Sequence, residues 1–440
     1  MPLLPRMLLA FTASVLAAGP LLAQQPKPPL TALKAARLFD GKSEALVQNA
    51  VVLVEGQKIT AVGSNLAIPS GATVIDLGDA TLAPGFIDAH THLTGEISDD
   101  VKQDFIDRFR RQIPEQALFA ASYAKKVLEA GFTTVRDVGS SDFVDVSLRN
   151  AIARGLVPGP RMQVSVHSIG ATGGHCDETG LRYNATGRET DYTDGVANGP
   201  DGLREAVRFQ VKYGADVIKT CASGGVLSLS DEVDTPQLTL DEMTALVDEA
   251  HRLRKKVSAH AHGDRAAREA VQAGVDSIEH GSFLTDETLA LMKSKGTYLV
   301  ATLLAGEYTG GKADKFPPEI AAKARAALAA RSDMFRRALK MGVKIGFGTD
   351  SAVSPHGING QEFALMTGLG MSPIAALRAA TSGDAELLGI AGQVGTLEVG
   401  KIADVIAMPG NPMADIKVTE KVFFVMKEGK VFKQLPQGKS

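Results

Sequence analysis

The stretch Phe86-Ile87-Asp88-Ala89-His90-Thr91-His92 is an apolar run of strand character that ends in two histidines. Side chains alternate along a strand, so His90 and His92 lie on the same side, and both imidazoles can reach one metal ion. A single histidine here would be ordinary core packing. Two at this spacing, directly behind an apolar run, favour a metal site at the end of a buried strand.

The same kind of strand recurs along the chain. Apolar, β-branched stretches alternate with Ala-, Glu- and Arg-rich stretches of helical period, such as residues 239–255 and 318–341. The predicted strands are residues 83–92, 133–138, 162–168, 215–221, 256–262, 277–280, 298–304 and 344–350. Eight buried strands with helical crossovers predict an α/β protein with a parallel (β/α)8 TIM barrel, in which reactive residues gather at the carboxyl ends of the strands.

Both ends of the chain have a different character. Short strand patterns separated by Gly-containing turns occur at residues 33–41, 50–59, 403–408 and 421–432. We expect these segments to pair into one small β-sandwich domain. The predicted organisation is a β domain whose two parts are residues 24–83 and 392–440, with the barrel formed by residues 84–391.

Residues 1–23 carry a secretory signal pattern: Arg6, an apolar run from Met7 to Ala18, a helix-breaking Gly19-Pro20 pair and the small residue Ala23. The run is shorter than the roughly 20 residues that a membrane span needs. We therefore expect signal cleavage, export to the periplasm or out of the cell, and no stable membrane insertion afterwards. A retained N-terminal anchor is the alternative.

The composition is that of a folded globular protein without a nucleic-acid partner. The 440 residues are 44% hydrophobic and 22% charged, and 47 Lys and Arg against 50 Asp and Glu give a net charge of −3 without a basic block. The two cysteines, Cys176 and Cys221, are too few for a disulfide framework. They could pair or bind metal, but small buried thiols are the commoner outcome for such residues.

Three more predicted strands end in residues that could bind metal. His260 and His262 end the fifth strand, His280 ends the sixth and Asp350 ends the eighth. Five of the nine histidines of the chain therefore lie at strand ends. Buried polar groups at such positions need partners, and a metal ion would supply one.

Lys219 places a charged side chain inside the apolar fourth strand, pointing where the histidines point. An unpaired buried ammonium is costly. A salt bridge to Asp350 or Glu279 is one solution. The other, which we favour, is deprotonation and reaction with carbon dioxide to give a carbamate whose two oxygens bridge two cations.

Together these features resemble the binuclear amidohydrolase superfamily. The segment Pro84–His92, Lys219, the two later histidine segments and Asp350 carry the resemblance, which spans nearly the whole mature chain. Three further segments resemble most the branch of prolidases and Xaa-dipeptidases, which includes enzymes that hydrolyse ochratoxin-type N-acyl amino acids. They are ATGGHCD at 171–177, ASGGV at 222–226 and GVDSIEHG at 274–281.

The resemblance implies a binuclear metal site. The implied ligands are His90, His92 and Asp350 for one divalent cation, His260 and His280 for the other, and carboxylated Lys219 as the bridge. Mixed imidazole and carboxylate ligands suit zinc best, with cobalt or manganese as substitutes.

Four more residues are candidates, each with two alternative roles. His262, which the resemblance does not assign to a cation, orients the substrate or hydrogen-bonds a neighbour. His175, in a Gly-rich loop, polarises the scissile carbonyl or is a structural loop histidine. Arg182 and Tyr183 bind the carboxylate of the substrate, or are ordinary loop residues.

The implied activity is hydrolysis of an amide whose leaving group is an amino acid with a free carboxylate, as in a dipeptide or an N-acyl amino acid such as ochratoxin A. A metal-bridging hydroxide attacks the carbonyl, and Asp350 carries its proton to the departing amine. The alternatives are a cyclic amide or lactone hydrolase of the imidazolonepropionase type and a non-catalytic metal-binding protein. Related enzymes often form octamers, so we expect a homo-oligomer.

Overall fold

The computed structural model describes residues 28–177, 182–183, 187–229 and 231–436. The predicted signal segment, residues 1–23, lies outside them. Within the described ranges, no helix is long and apolar enough to cross a membrane. The described chain consists of a sheet built from both ends and a region of alternating strands and helices between them.

The elements are numbered here in chain order. The strands are β1 Leu30–Leu38, β2 Val47–Glu55, β3 Lys58–Ser64, β4 Thr73–Asp76, β5 Ala80–Pro84, β6 Phe86–Thr91, β7 Phe132–Asp137, β8 Arg161–Val164, β9 Val217–Cys221, β10 Lys256–Ala261, β11 Ser277–His280, β12 Tyr298–Val300, β13 Ile345–Gly346, β14 Val405–Pro409, β15 Phe424–Lys427 and β16 Lys430–Gln434. The α-helices are α1 Val101–Arg110, α2 Ile113–Glu129, α3 Val144–Ala153, α4 Gly199–Lys212, α5 Leu240–Arg252, α6 Asp264–Ala273, α7 Asp286–Lys295, α8 Leu303–Gly311, α9 Pro318–Met341, α10 Gln361–Gly368, α11 Pro373–Arg378 and α12 Asp384–Leu387.

A strand is found in each of the eight predicted barrel segments, as β6 to β13. Strands β6 to β8 form a parallel three-stranded sheet, and β9 to β13 form a parallel five-stranded sheet. Backbone hydrogen bonds join the two sheets at both edges: Asp350 N donates to His90 O at 2.8 Å, and Cys221 N donates to Ile169 O at 2.9 Å. This α/β arrangement is consistent with the predicted barrel.

Burial explains why the strands of this region are nearly continuous apolar runs. Every residue of β6 and β7 is buried, as expected for parallel strands that helices cover. The covering helices have clear local signals. Thr239 and Glu242 form a capping box at the start of α5. Helix α9 begins at Pro318, and Gly342, with a φ of 75°, caps its C-terminal end.

The two ends of the chain pair with each other, since β14 runs antiparallel to β5. The strand order is β16-β15-β14-β5-β1-β2-β3, with β4 also on β1, so the described pairings place all eight strands in one sheet. The side chains of Leu33, Val52, Val405 and Phe424 form part of its apolar core. A second layer, as in the predicted sandwich, is not shown by these pairings.

The first predicted barrel strand, residues 83–92, is divided in the structure. Its beginning belongs to β5 and the rest is β6, with Gly85 between them. A Cβ at Gly85 would lie 2.1 Å from Thr133 Oγ1 on β7, so no side chain fits at this passage. An apolar run continues across the break, which is why the sequence pattern does not reveal it.

Cys176 and Cys221 form a disulfide bond, with their Cα atoms 5.8 Å apart. The prediction that two buried free thiols were the commoner outcome is therefore wrong. The contact arises where β8 leads into a loop beside β9. Ile169 is hydrogen-bonded to the backbone of β9, and the loop after it returns Cys176 to Cys221 at the strand end.

We predict that replacing both cysteines by serine destabilises the protein. A cross-link between residues 45 apart in sequence restricts the unfolded chain by about 4 kcal/mol in the chain-entropy model. Because the chain has no Trp, thermal unfolding should be followed by circular dichroism, and the double variant should have the lower Tm. A reductant should lower the Tm of the wild type only. Equal Tm values for wild type and double variant would contradict a structural role of the bond.

Candidate metal centre

The predicted metal ligands converge at the carboxyl ends of the parallel strands. They form two groups, each with its ligand atoms within 4.8 Å of one another: His90, His92 and Asp350, and His260, His262 and His280. The rings of His90 and His280 connect the groups, with centroids 5.0 Å apart. The structure therefore brings the five strand-end histidines and Asp350 into one cluster.

The backbone is strained at two of these residues. His280 has a φ of 71° and Asp350 a φ of 57°, in the left-handed region that non-glycine residues rarely adopt. Such conformations persist where the surrounding structure holds them, and they are concentrated at functional sites. His280 is the last residue of β11, whereas Asp350 follows β13 by four residues, and both side chains lie in the cluster.

Hydrogen bonds orient the histidine rings. Four of the rings have a partner at Nδ1, namely Glu279 Oε2 for His90 (2.7 Å), Gly139 O for His92 (2.9 Å), Ser282 Oγ for His262 (2.9 Å) and Thr302 Oγ1 for His280 (2.7 Å). In His260 it is Nε2 that faces a carbonyl oxygen, Gly224 O, at 3.2 Å. One nitrogen of each ring thus remains for a metal, and the partner of the other nitrogen fixes the ring.

Burial keeps most of the rings neutral, which is the form that binds metals. It lowers the pKa of His90 to about 4 and holds the pKa values of His260 and His280 well below their ordinary range. His92 differs: burial lowers its pKa, but Asp350 and Asp137 together raise it more. Burial raises the pKa of Asp350, but His90 and His92 lower it more, so the carboxylate stays ionised.

Lys219 is buried beside both groups and has neither of the salt bridges that the sequence allowed. Among the residues that the structure describes, no carboxylate lies within 4.0 Å of its Nζ. Burial, more than any charge, lowers the pKa of Lys219 to about 8, although Glu279 and Asp350 raise it. An appreciable part of this amine is therefore neutral near pH 8.

His262 belongs geometrically to the second group. Its ring centroid lies 4.9 Å from those of both His260 and His280, and its ring is stacked on that of His280. The resemblance assigned only His260 and His280 to a cation. The geometry of the cluster does not separate His262 from them.

His175 also reaches the cluster, although it lies on a loop. Its ring stacks on that of His260 with centroids 4.3 Å apart, and a Cβ at Gly225 would lie 2.1 Å from it. Its Nδ1 is 2.9 Å from Ser228 Oγ, and Ser228 donates to Asp231 at 2.6 Å. Because an ionised carboxylate can only accept, Ser228 accepts from Nδ1, and the neutral ring keeps its lone pair on Nε2.

The two residues predicted to bind the substrate carboxylate are both exposed and have no hydrogen bond or ring contact with the cluster among the described residues. Arg182 and Tyr183 are exposed, Tyr183 by 83%. Within the described part of the chain, neither has a contact with the histidine cluster. Their role in binding the substrate carboxylate therefore stays a prediction.

Other residues of the site went unassigned in the sequence. Arg136, on β7, donates to Glu279 Oε1 at 2.9 Å, and both side chains are almost completely buried. Arg136 is a charged residue inside an apolar strand, the same signal that singles out Lys219. Thr302 and Ser282, which hold histidine rings, carry no such signal in sequence.

Comparisons with known proteins identify the family of the chain. The amidohydrolase family profile matches residues 81–432. The ochratoxinase of Aspergillus niger is 33% identical over 423 residues, covering 92% of this chain and 87% of the relative. The imidazolonepropionase of Pseudomonas savastanoi pv. phaseolicola is 26% identical, over 84% of this chain and 90% of the relative.

Solved structures show the same relationship. A Xaa-Pro dipeptidase with methionine bound in its active site has a TM-score of 0.88 and 38% identity, covering 92% of this chain and all of that one. The resemblance found in the sequence is therefore confirmed. The chain belongs to the amidohydrolase family, whose members are typically metal-dependent, and it is a hydrolase that acts on amide bonds.

Proposed function

We propose that this enzyme hydrolyses the amide bond to a C-terminal amino acid with a free carboxylate, in dipeptides or N-acyl amino acids of the ochratoxin type, with two divalent cations. The observation that carries the proposal is the pair of histidine groups joined through His90 and His280, with Lys219 buried beside both. The similarity to an ochratoxinase and to a Xaa-Pro dipeptidase supports the substrate class.

The residues fit two cations by their chemistry. One group offers two imidazoles and an ionised carboxylate, and the other offers neutral imidazoles. Such ligands favour zinc. Lys219 would complete both sets as a carbamate: its neutral amine forms a nitrogen–carbon bond to carbon dioxide and releases a proton. Its burial and the lack of a described ion pair support this modification.

When bound, the cations supply a hydroxide at neutral pH and a Lewis acid for the scissile carbonyl. Asp350, ionised and 3.4 Å from His92 Nε2, accepts the proton of the attacking water and delivers it to the departing amine. His175 faces the same cluster. It polarises the carbonyl only when Nε2 also carries a proton, a state that the charge of Asp231 favours and burial opposes.

A cyclic amide or lactone hydrolase is the competing enzymatic proposal, since an imidazolonepropionase is also a relative. Its identity of 26% is lower than the 33% of the ochratoxinase. The non-catalytic alternative does not stand, because the chain belongs to the amidohydrolase family and is a hydrolase that acts on amide bonds.

Export and self-assembly remain part of the proposal. The disulfide bond supports an oxidising compartment. Several apolar side chains of α1 and α2 are exposed, among them Phe109 by 56% and Leu118 by 74%, which supports burial against other copies of this chain. Light scattering of the mature protein measures the assembly.

We predict that the mature protein contains close to two divalent cations per chain and loses activity on chelation. Two groups of ligands and a bridge exceed what one tetrahedral ion needs. Elemental analysis of the wild type and of His260→Asn should show the loss of about one ion in the variant. His251→Asn, which changes a largely exposed histidine paired with Asp276, is the control. At most one tightly bound ion in a fully active wild type contradicts the binuclear site.

We predict that Lys219→Ala loses one metal and lowers kcat/KM by about 100-fold or more, since even residues that only support a ligand contribute about 10–100-fold. Short carboxylic acids such as propionate should restore part of the activity. Lys219→Arg should remain inactive, because arginine stays protonated and cannot form the carbamate. Lys295→Ala, at an exposed position, is the control. An unmodified amine in a crystal structure of the active two-metal enzyme would refute the modification.

We predict a strong preference for substrates with a free C-terminal carboxylate. Amidation removes a charge-assisted hydrogen bond, which should cost about 1.5–3 kcal/mol, or roughly ten- to a hundredfold in kcat/KM. Steady-state kinetics on matched pairs, such as N-benzoyl-phenylalanine and its carboxamide, measures the ratio. Cyclic amides and lactones belong in the same panel. Equal rates on the free and amidated forms would favour the cyclic-substrate alternative.

A further inference from the structure

A second buried arginine lies beside the cluster, on helix α9. Arg331 is only 4% exposed, and its Nη1 donates to Thr302 O at 2.8 Å. Its Nε has no hydrogen-bond partner, and its Nη2 donates to no described residue. In the described ranges, no carboxylate lies within 4.0 Å of the guanidinium. A buried charge with so few partners is costly unless a ligand completes it.

The position of Arg331 relates it directly to the cluster. Thr302, whose carbonyl accepts from Arg331, uses its hydroxyl to hold His280 at 2.7 Å. Burial lowers the pKa of His262 most, and the charge of Arg331 lowers it further. Gly306 on α8 leaves the space for the guanidinium, since a Cβ there would lie 2.1 Å from Nη1. Thr302 therefore links the guanidinium of Arg331 to His280, a proposed metal ligand.

Glu362 is the acid whose charge acts most on Arg331, but its carboxyl group is engaged elsewhere. The two carboxyl oxygens of Glu362 accept the backbone N–H groups of Leu303 and Leu304, at 2.9 and 2.7 Å. Burial raises the pKa of Glu362 to about 8, so this group is largely neutral at pH 7. The edge of the guanidinium formed by Nε and Nη2 remains without a protein acceptor among the described residues.

We propose that Arg331 binds the free carboxylate of the leaving amino acid, the role that the sequence assigned to Arg182 and Tyr183; this inference rests on the proposed function. Nε and Nη2 present two parallel N–H donors, which match the two oxygens of a carboxylate. A carboxylate bound there would lie beside Thr302, the residue that holds His280. The preference for C-terminal amino acids then comes from this contact.

The test uses the metal-loaded mature enzyme and a matched pair of substrates, N-benzoyl-phenylalanine and its carboxamide. Arg331→Gln should lower kcat/KM on the free acid by about ten- to a hundredfold, largely through KM, and leave the carboxamide unchanged. Inhibition by free phenylalanine should weaken in parallel. The control is Arg337→Gln, on the same helix but paired with Asp286 and Asp333 at the surface.

Other outcomes overturn the inference in distinguishable ways. If the wild type treats both substrates equally, the proposed function fails together with this inference. If the wild type prefers the free acid and Arg331→Gln keeps that preference, only this inference fails. A loss equal on both substrates, with loss of metal, assigns Arg331 to support of Thr302 instead.

A conservative variant covers the case in which Arg331→Gln does not fold. Arg331→Lys keeps the charge and removes the two-pronged donor edge. It should raise KM for the free acid while kcat and metal content stay close to the wild-type values. An unchanged KM for the free acid in Arg331→Lys, together with unchanged inhibition by phenylalanine, overturns the proposal.

Discussion

The buried carboxylate of Glu279 is the interaction on which the site depends. It accepts hydrogen bonds from Arg136 on β7, His90 on β6 and Ser258 on β10. Strands β7 and β11 belong to different sheets, so the contact between Arg136 and Glu279 fixes how these sheets face each other. Because either charge alone would be costly at this depth, the two must be kept together. His90 is thereby held in the orientation that the cluster requires.

The parts of the site that could be predicted are those with a local pattern. Paired histidines directly after an apolar run, and a lysine inside such a run, are visible in the sequence. They indicate a site because buried polar groups need partners. The disulfide bond, the stacking of His175 on His260 and the placement of Arg331 depend instead on loops and a helix that fold back onto the strands. No spacing in sequence encodes these contacts, which is why the exposed Arg182 was a reasonable but unsupported candidate.

Burial determines the electrostatics of the cluster more than any single charge does. It favours neutral rings at His90, His260 and His280 and brings the pKa of Lys219 down to about 8. Asp350 stays ionised among them. Neutral nitrogen donors beside a carboxylate attract a divalent cation without having to release protons from the imidazoles. The same burial opposes ionisation of an unmodified Lys219. It therefore favours the neutral amine, which is the form that reacts with carbon dioxide in the proposed carbamate.

Helix α9 contacts the neighbours of two histidines of the cluster. Its Lys323 donates to Ser228 O at 2.6 Å and to Asp231 Oδ1 at 3.0 Å, and so supports the loop that holds His175. Two turns later, Arg331 supports Thr302, which holds His280. The strands thus provide the reactive groups, whereas α9 positions their neighbours from outside. Substitutions along α9 can therefore change how His175 and His280 are held, although α9 itself carries none of the proposed metal ligands.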